Sequence, residues 1–137
     1  MIEKTCLVTG ANTGIGYAIS LGLAKMGATV IMVCRNKPRG EAAMTELKEK
    51  SGNSSISLFI ADLSSQTSIR QLVTDFKTKF GKLDILINNA AVITQNRTLT
   101  EDGLETQFAL NHLAPFLLTE LLLDSLKTSD SARIINI

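Results

Sequence analysis

The chain has 137 residues, 45% hydrophobic and 20% charged, a composition that builds one globular core of ordinary domain size. Fourteen Lys and Arg against thirteen Asp and Glu leave a formal net charge of +1, which argues against a nucleic-acid groove or an anionic-membrane patch as the main business. One Tyr, five Phe and no Trp leave few rings to stack on bases.

Short apolar runs alternate with longer segments of helical period, the pattern of a parallel sheet covered by helices. The first strand is Thr5 to Thr9, ending at Gly10, and a helix follows from about Gly14 to Met26 with Gly27 as its stop. Ala28 to Cys34 reads as a strand buried on both faces. Pro38 opens a second helix that runs to about Ser51, with Gly52 beyond. The third strand, Ile56 to Ala61, ends at Asp62. Ser64 or Ser65 can cap the next helix, whose Ile69, Leu72, Val73, Phe76 and Phe80 share one stripe.

The fourth strand is Leu83 to Asn88. An irregular polar stretch, Thr94 to Thr98, leads to a predicted long helix from about Glu101 to Lys127. Glu101, Asp102 and Glu105 suit the N-terminus of that helix, and Pro115 should kink it. Ala132 to Ile137 is the fifth strand. The expected fold is an α/β doubly wound parallel sheet in the order 3-2-1-4-5, one domain over residues 1–137 with the C-terminal part of the fold missing. In such sheets ligands bind beyond the carboxyl ends of the strands.

Cys6 and Cys34 sit in apolar runs and read as reduced core residues of a cytoplasmic protein, not as a disulfide framework or metal site. The N-terminus carries no secretory pattern. The oily stretch Leu113 to Leu123 is interrupted by Pro115, Thr119 and Glu120 and is too short to span a bilayer, so no membrane segment is expected. Two glycosylation sequons, Asn53-Ser54-Ser55 and Asn96-Arg97-Thr98, carry no meaning without such a signal.

Strand one runs into Gly10-Ala11-Asn12-Thr13-Gly14-Ile15-Gly16, spaced G-x-x-x-G-x-G. Glycines there permit positive φ and close approach of backbone to a ligand, and the following helix offers free N–H groups to a pyrophosphate. No Lys-Ser/Thr follows to make a Walker loop. Dinucleotide folds usually place an acid about 20 residues on to hold the ribose hydroxyls. Here Arg35, Lys37 and Arg39 occupy that region, with no acid before Glu41. A guanidinium can grip a 2′-phosphate through charge-assisted bonds, so NADP(H) is expected in preference to NAD(H), which stays open; a solvated cationic loop is the plain alternative.

Together, the loop Thr9 to Gly16, Asp62-Leu63, Asn88-Asn89-Ala90 and Asn111 resemble the short-chain dehydrogenases/reductases along the whole chain. Cys34-Arg35-Asn36, Thr100-Glu101-Asp102-Gly103, Asn111-His112-Leu113 and Arg133-Ile134-Ile135-Asn136 look more narrowly like the retinol-dehydrogenase-like branch. The resemblance implies that Gly10, Asn12, Thr13, Gly14, Ile15 and Gly16 wrap the pyrophosphate, with Ile15 toward the nicotinamide. Arg35, with Asn36 beside it, would recognise the adenosine phosphate, and Asp62 and Leu63 the adenine. Asn89, Ala90 and Ala91 would lie along the cofactor, Asn88 would brace the sheet, and Asn111 would hold a water in the proton relay. Singly, Asp62 also reads as a helix cap, Asn88 and Asn89 as turn formers and His112 as a partly buried structural imidazole. Ala91 departs from the family's usual Gly.

The family's catalytic Ser and Tyr-x-x-x-Lys have no counterpart among these residues: the one tyrosine, Tyr17, is followed four residues on by Leu21. The chain therefore looks like the cofactor-binding front part of an oxidoreductase acting on a small alcohol or carbonyl, inactive alone, with a homo-oligomer open for the complete protein. A non-catalytic NADP(H)-sensing module is the alternative from another class, and a Rossmann-like methyltransferase a weaker one. As an edge, strand five should favour self-association.

Overall fold

In the computed structural model, which describes residues 1–137, the five apolar runs pair as one parallel sheet in the order β3-β2-β1-β4-β5. The strands are β1 (Thr5–Thr9), β2 (Thr29–Cys34), β3 (Ile56–Ile60), β4 (Ile85–Asn88) and β5 (Arg133–Asn136). Register runs straight across: Leu7 lies beside Ile31 and Leu86, and Leu86 beside Ile134. The strands are shorter than expected: Ala28, Ala61, Leu83, Asp84, Ala132 and Ile137 fall outside the regular ladder.

Alternating strand residues supply two cores. Cys6, Val8, Val30, Met32 and Ile87 face helices α1 (Gly14–Lys25) and α2 (Lys37–Ser51), whose Leu23, Ala24 and Leu47 pack onto them. Leu7, Ile31, Val33 and Leu86 face α3 (Gln66–Lys79) and α5 (Ala114–Lys127), which bring Ile69, Phe76, Leu118 and Leu122. Complete burial of such side chains is worth about 1.5–3 kcal/mol each. Both cysteines are buried and free, and burial raises their thiol pKa values to about 11.

The predicted 101–127 helix is a composite. Thr100–Gly103 is a turn; α4 is only Thr106–Phe108, capped by Glu105, whose carboxylate accepts from the Gln107 and Phe108 amides. A π turn, Ala109–Leu113, then leads into α5. The wider π bonding, Ala114 N–H to the Ala109 carbonyl, precedes Pro115, which comes to rest in the first turn of α5, where proline is tolerated. His112 is exposed, stacked on the Phe108 ring at 5.3 Å between centroids, and so is not the partly buried imidazole expected.

Two polar knots hold the end of the sheet opposite the glycine loop. Asp84, completely buried, accepts from Lys4 Nζ (3.1 Å), the Thr5 amide (2.9 Å) and Ser129 Oγ (2.5 Å), with Lys82 Nζ at 3.4 Å. Burial raises its pKa, but Ser129, Thr5 and the lysines outweigh that and bring it from 3.8 to about 2. Asn53 donates from Nδ2 to the carbonyls of Ala24 and Ala28, both at 2.9 Å, and so ties the α2–β3 connection to the end of α1. β5 is an exposed edge, with Ile134, Ile135 and Ile137 open to solvent. No helix is long and apolar enough to cross a membrane, and no group of three or more His, Cys, Asp or Glu could hold a metal ion.

Candidate functional site

At the carboxyl ends of β1, β2, β3 and β4 the chain leaves a cleft of about 380 Å³. Its floor is Gly10, Asn12 and Thr13; one wall is Val33 to Arg35 with Ala61 to Leu63, and the other is Asn89 to Val92 with Leu110. Nine predicted cofactor residues meet here: Gly10, Asn12, Thr13, Arg35, Asp62, Leu63, Asn89, Ala90 and Ala91. Gly14, Ile15, Gly16 and Asn36 adjoin the cleft in sequence without lining it.

The glycines divide the work. Gly10 has φ +64°, which favours glycine, and a Cβ there would press on Asn89 Nδ2 and the Ala90 backbone at 3.0 and 3.1 Å. A Cβ on Gly16 would come under 3.0 Å from the Gly10 carbonyl oxygen and Asn89 Nδ2, so this glycine lets α1 seat against the loop. Gly14, at φ +55°, has nothing within 4 Å of its Cβ position: open space remains beside the backbone.

The start of α1 is unlike the starts of its neighbours. Asn36 Oδ1 accepts from the Arg39 amide to cap α2, and Ser65 caps α3. Thr13 makes no side-chain cap, and the amides of Gly14, Ile15 and Gly16 have no partner within the protein. Free amides at a helix N-terminus beside open space fit an anionic group. Arg35 is exposed at the end of β2 and makes no ion pair, whereas Lys37 lies 3.9 Å from Glu41. The cleft contains one acid, Asp62, whose Oδ1 accepts from the Ser64 amide and hydroxyl. Asp62 thus makes a local turn instead of capping α3.

Sequence reasoning missed Thr9. Its hydroxyl accepts from the Asn89 (2.9 Å) and Ala90 (3.0 Å) amides, and lies 3.4 Å from the Ile87 carbonyl. Asn89 Nδ2 returns bonds to the Thr9 and Gly10 carbonyls. The two residues lock the far wall to the glycine loop. A buried hydroxyl directly before the first glycine was the available signal. Cys34, read from the sequence as a core residue, is buried and also fills the wall behind the loop.

Asn111 stands outside this cleft. It grips Val92 with both ends of its amide, accepting from the Val92 N–H and donating to its carbonyl, each at 2.8 Å. Asn111 lines a second, adjoining cavity of about 700 Å³ at the ends of β4 and β5, together with Asn88, Ala90, His112, Phe116 and Asn136. Asn88 Nδ2 donates to Asn136 Oδ1 at 2.8 Å, bracing β4 to β5, while its buried Oδ1 has no partner. Tyr17 packs instead among the α1 and α2 side chains, with Lys50 Nζ over its ring.

Comparison with known proteins agrees with this geometry. A family model described as short chain dehydrogenase matches residues 4–137. Human retinol dehydrogenase 13 is 46% identical over 134 residues, which is 98% of this chain and 40% of that protein. The RhlG/NADP active-site complex of Pseudomonas aeruginosa superposes with a TM-score of 0.84 at 31% identity, covering 99% of this chain and 54% of that one. L-sorbose reductase of Gluconobacter frateurii, complexed with NADPH and L-sorbose, gives a TM-score of 0.87 at 28% identity, covering 99% of this chain and 52% of the reductase. The chain spans 34% of the length of the bovine dehydrogenase/reductase SDR family member 13 and 43% of that of bovine retinol dehydrogenase 12.

Proposed function

The chain belongs to the short-chain dehydrogenase family, and we propose that it forms the cofactor-binding part of an NADP(H)-dependent oxidoreductase that interconverts an alcohol and a carbonyl. The observation that carries the cofactor preference is Arg35: an unpaired guanidinium on the wall of a cleft whose one acid is engaged in its own turn. The NADP and NADPH complexes among the structural neighbours support the same reading.

The residues present fit a dinucleotide. The free amides of Gly14 to Gly16 would hold the pyrophosphate, with Gly14 leaving room for it. Arg35 would hold the 2′-phosphate, and Asp62 and Leu63 would border the adenine. Such a cofactor, when bound, supplies a nicotinamide that gives or takes a hydride. Thr9 and Asn89 keep the wall that borders it rigid. The 700 Å³ cavity beyond Ala90 and Ala91 is our candidate for the small-molecule substrate. With the Asn111 side chain engaged by Val92, any part in a proton relay falls to its backbone carbonyl, to which Pro115, four residues on, brings no N–H.

Arg35→Ala tests the cofactor assignment. Charge-assisted bonds of about 1.5–3 kcal/mol correspond to roughly ten- to a hundred-fold in affinity. Titration should show NADP(H) weakened by that order and NAD(H) barely changed. Equal losses for both would refute the role of Arg35.

A further inference from the structure

Thr100-Glu101-Asp102-Gly103 forms a tight turn whose two acids serve a helix other than the one they precede. The turn is closed by the Gly103 amide on the Thr100 carbonyl (3.0 Å) and the Thr100 amide on the Leu104 carbonyl (2.8 Å), with Gly103 at φ +73°. Across 36 positions of sequence, Glu101 Oε1 accepts from Ser65 Oγ, and Asp102 Oδ2 accepts from the Gln66 amide at 2.9 Å. Both acids thus sit on the N-terminus of α3, where negative charge is favoured.

The placement matters because α3 and the turn continue from opposite walls of the cofactor cleft. Leu63, just before α3, belongs to one wall; Leu110, just after α4, and Val92, at the start of the segment that leads to the turn, belong to the other. The near end of that segment is held by the Asn111–Val92 grip. Its far end is poorly held by packing: beneath Leu104 lies a largely apolar cavity of about 190 Å³, bordered by Leu63, Ile69 and Leu117. Thr98 and Leu99 tie the segment to Thr106 and Glu105 on its own wall, whereas Glu101 and Asp102 carry polar contacts from the turn across to α3.

We propose that Glu101 and Asp102 are positioning residues, a clasp that fastens the 100–103 turn to α3 and so sets how fast a bound dinucleotide leaves the cleft. This rests on the cofactor reading above. It differs from the role of Arg35 in that a clasp acts on both cofactors alike.

The test measures dissociation of NADPH and of NADH from the full chain by stopped-flow fluorescence, in wild type, in Glu101→Ala/Asp102→Ala, and in Glu101→Gln/Asp102→Asn. Loss of two bonds to charged acceptors should speed release of both cofactors by about ten-fold or more. The Gln/Asn pair keeps an acceptor oxygen at each site and should restore most of the slow release. Hydrogen exchange at the Gln66 amide should rise in the Ala pair, and single Asp102→Ala provides the same readout should the pair not fold. Unchanged release from a folded Ala variant overturns the clasp, as does a change in the NADPH-to-NADH ratio or a Gln/Asn pair that releases as fast as the Ala pair. A wild-type chain that binds neither cofactor overturns the cofactor reading itself, and the clasp's role with it.

Discussion

Replacing Asp84 by Asn should cost the fold about 2 kcal/mol at neutral pH. The carboxylate is completely buried and lies within 3.4 Å of Lys4, Lys82, Ser129 and the Thr5 amide, arrangements that lower its pKa from 3.8 to about 2. At about 1.36 kcal/mol per pH unit, that drop makes about 2 kcal/mol of stability conditional on the charged form. Because the folded value lies below the unfolded one, the contribution is complete above about pH 5 and drains away as pH falls toward about 2. Asn keeps an acceptor for the Thr5 amide but loses the charge and turns N–H groups toward the cations or Ser129. Lys4 and Lys82 keep 31% and 42% of their side chains in solvent, so they relax into water and the loss stays below that of breaking a fully buried pair. Urea unfolding followed by circular dichroism, with unchanged m, should show the gap between wild type and Asp84→Asn at neutral pH and its closure in acid. Equal midpoints at neutral pH, or a gap indifferent to pH, would refute the argument.

Two further outcomes are expected. Gly16→Ala puts a methyl into the Gly10 carbonyl and Asn89, so melting should reveal a loss of roughly 1–3 kcal/mol and titration a loss of cofactor binding; a variant that binds as wild type does would contradict the close-seating argument. Residues 1–137, incubated with NADPH and a panel of aldehydes and ketones, should show no reduction above background, since a placed acid–base alone contributes about 10²–10⁴-fold and Tyr17 lies among the α1 and α2 side chains; saturable turnover by the purified chain would count against this.

The parallel sheet was legible because short apolar runs such as Leu7-Val8, Val30 to Cys34 and Leu86-Ile87, bounded by turn residues, alternate with segments of helical period that cover both faces. The glycine loop was legible because its glycines answer a steric demand that few other structures make. The clasp was not. Glu101 and Asp102 suit any helix N-terminus, and nothing local says that the helix served lies 36 positions back. The π turn is equally silent, since one extra residue per turn leaves no mark in composition. Asp84 reads as a polar interruption at a strand edge; that it anchors four donors depends on residues near both ends of the chain. The capping role of Asn36, whose Oδ1 accepts from the Arg39 amide, was equally unread, because the resemblance drew attention to Asn36 only as a neighbour of Arg35.

Were this chain ever presented to a glycosylating enzyme, the knot at Asn53 would decide which of its two sequons could be used in the folded state. The acceptor atom for an N-linked sugar is Nδ2, and at Asn53 that atom already donates to the carbonyls of Ala24 and Ala28. A glycan attached there before folding would take away a donor and wedge bulk between the end of α1 and the approach to β3. Asn96, by contrast, stands exposed in the segment between β4 and α4. Of two sequence motifs that look identical, one is a folding contact and the other an open surface position, so occupancy at Asn53 would serve as a chemical marker of chains that never closed this end of the sheet.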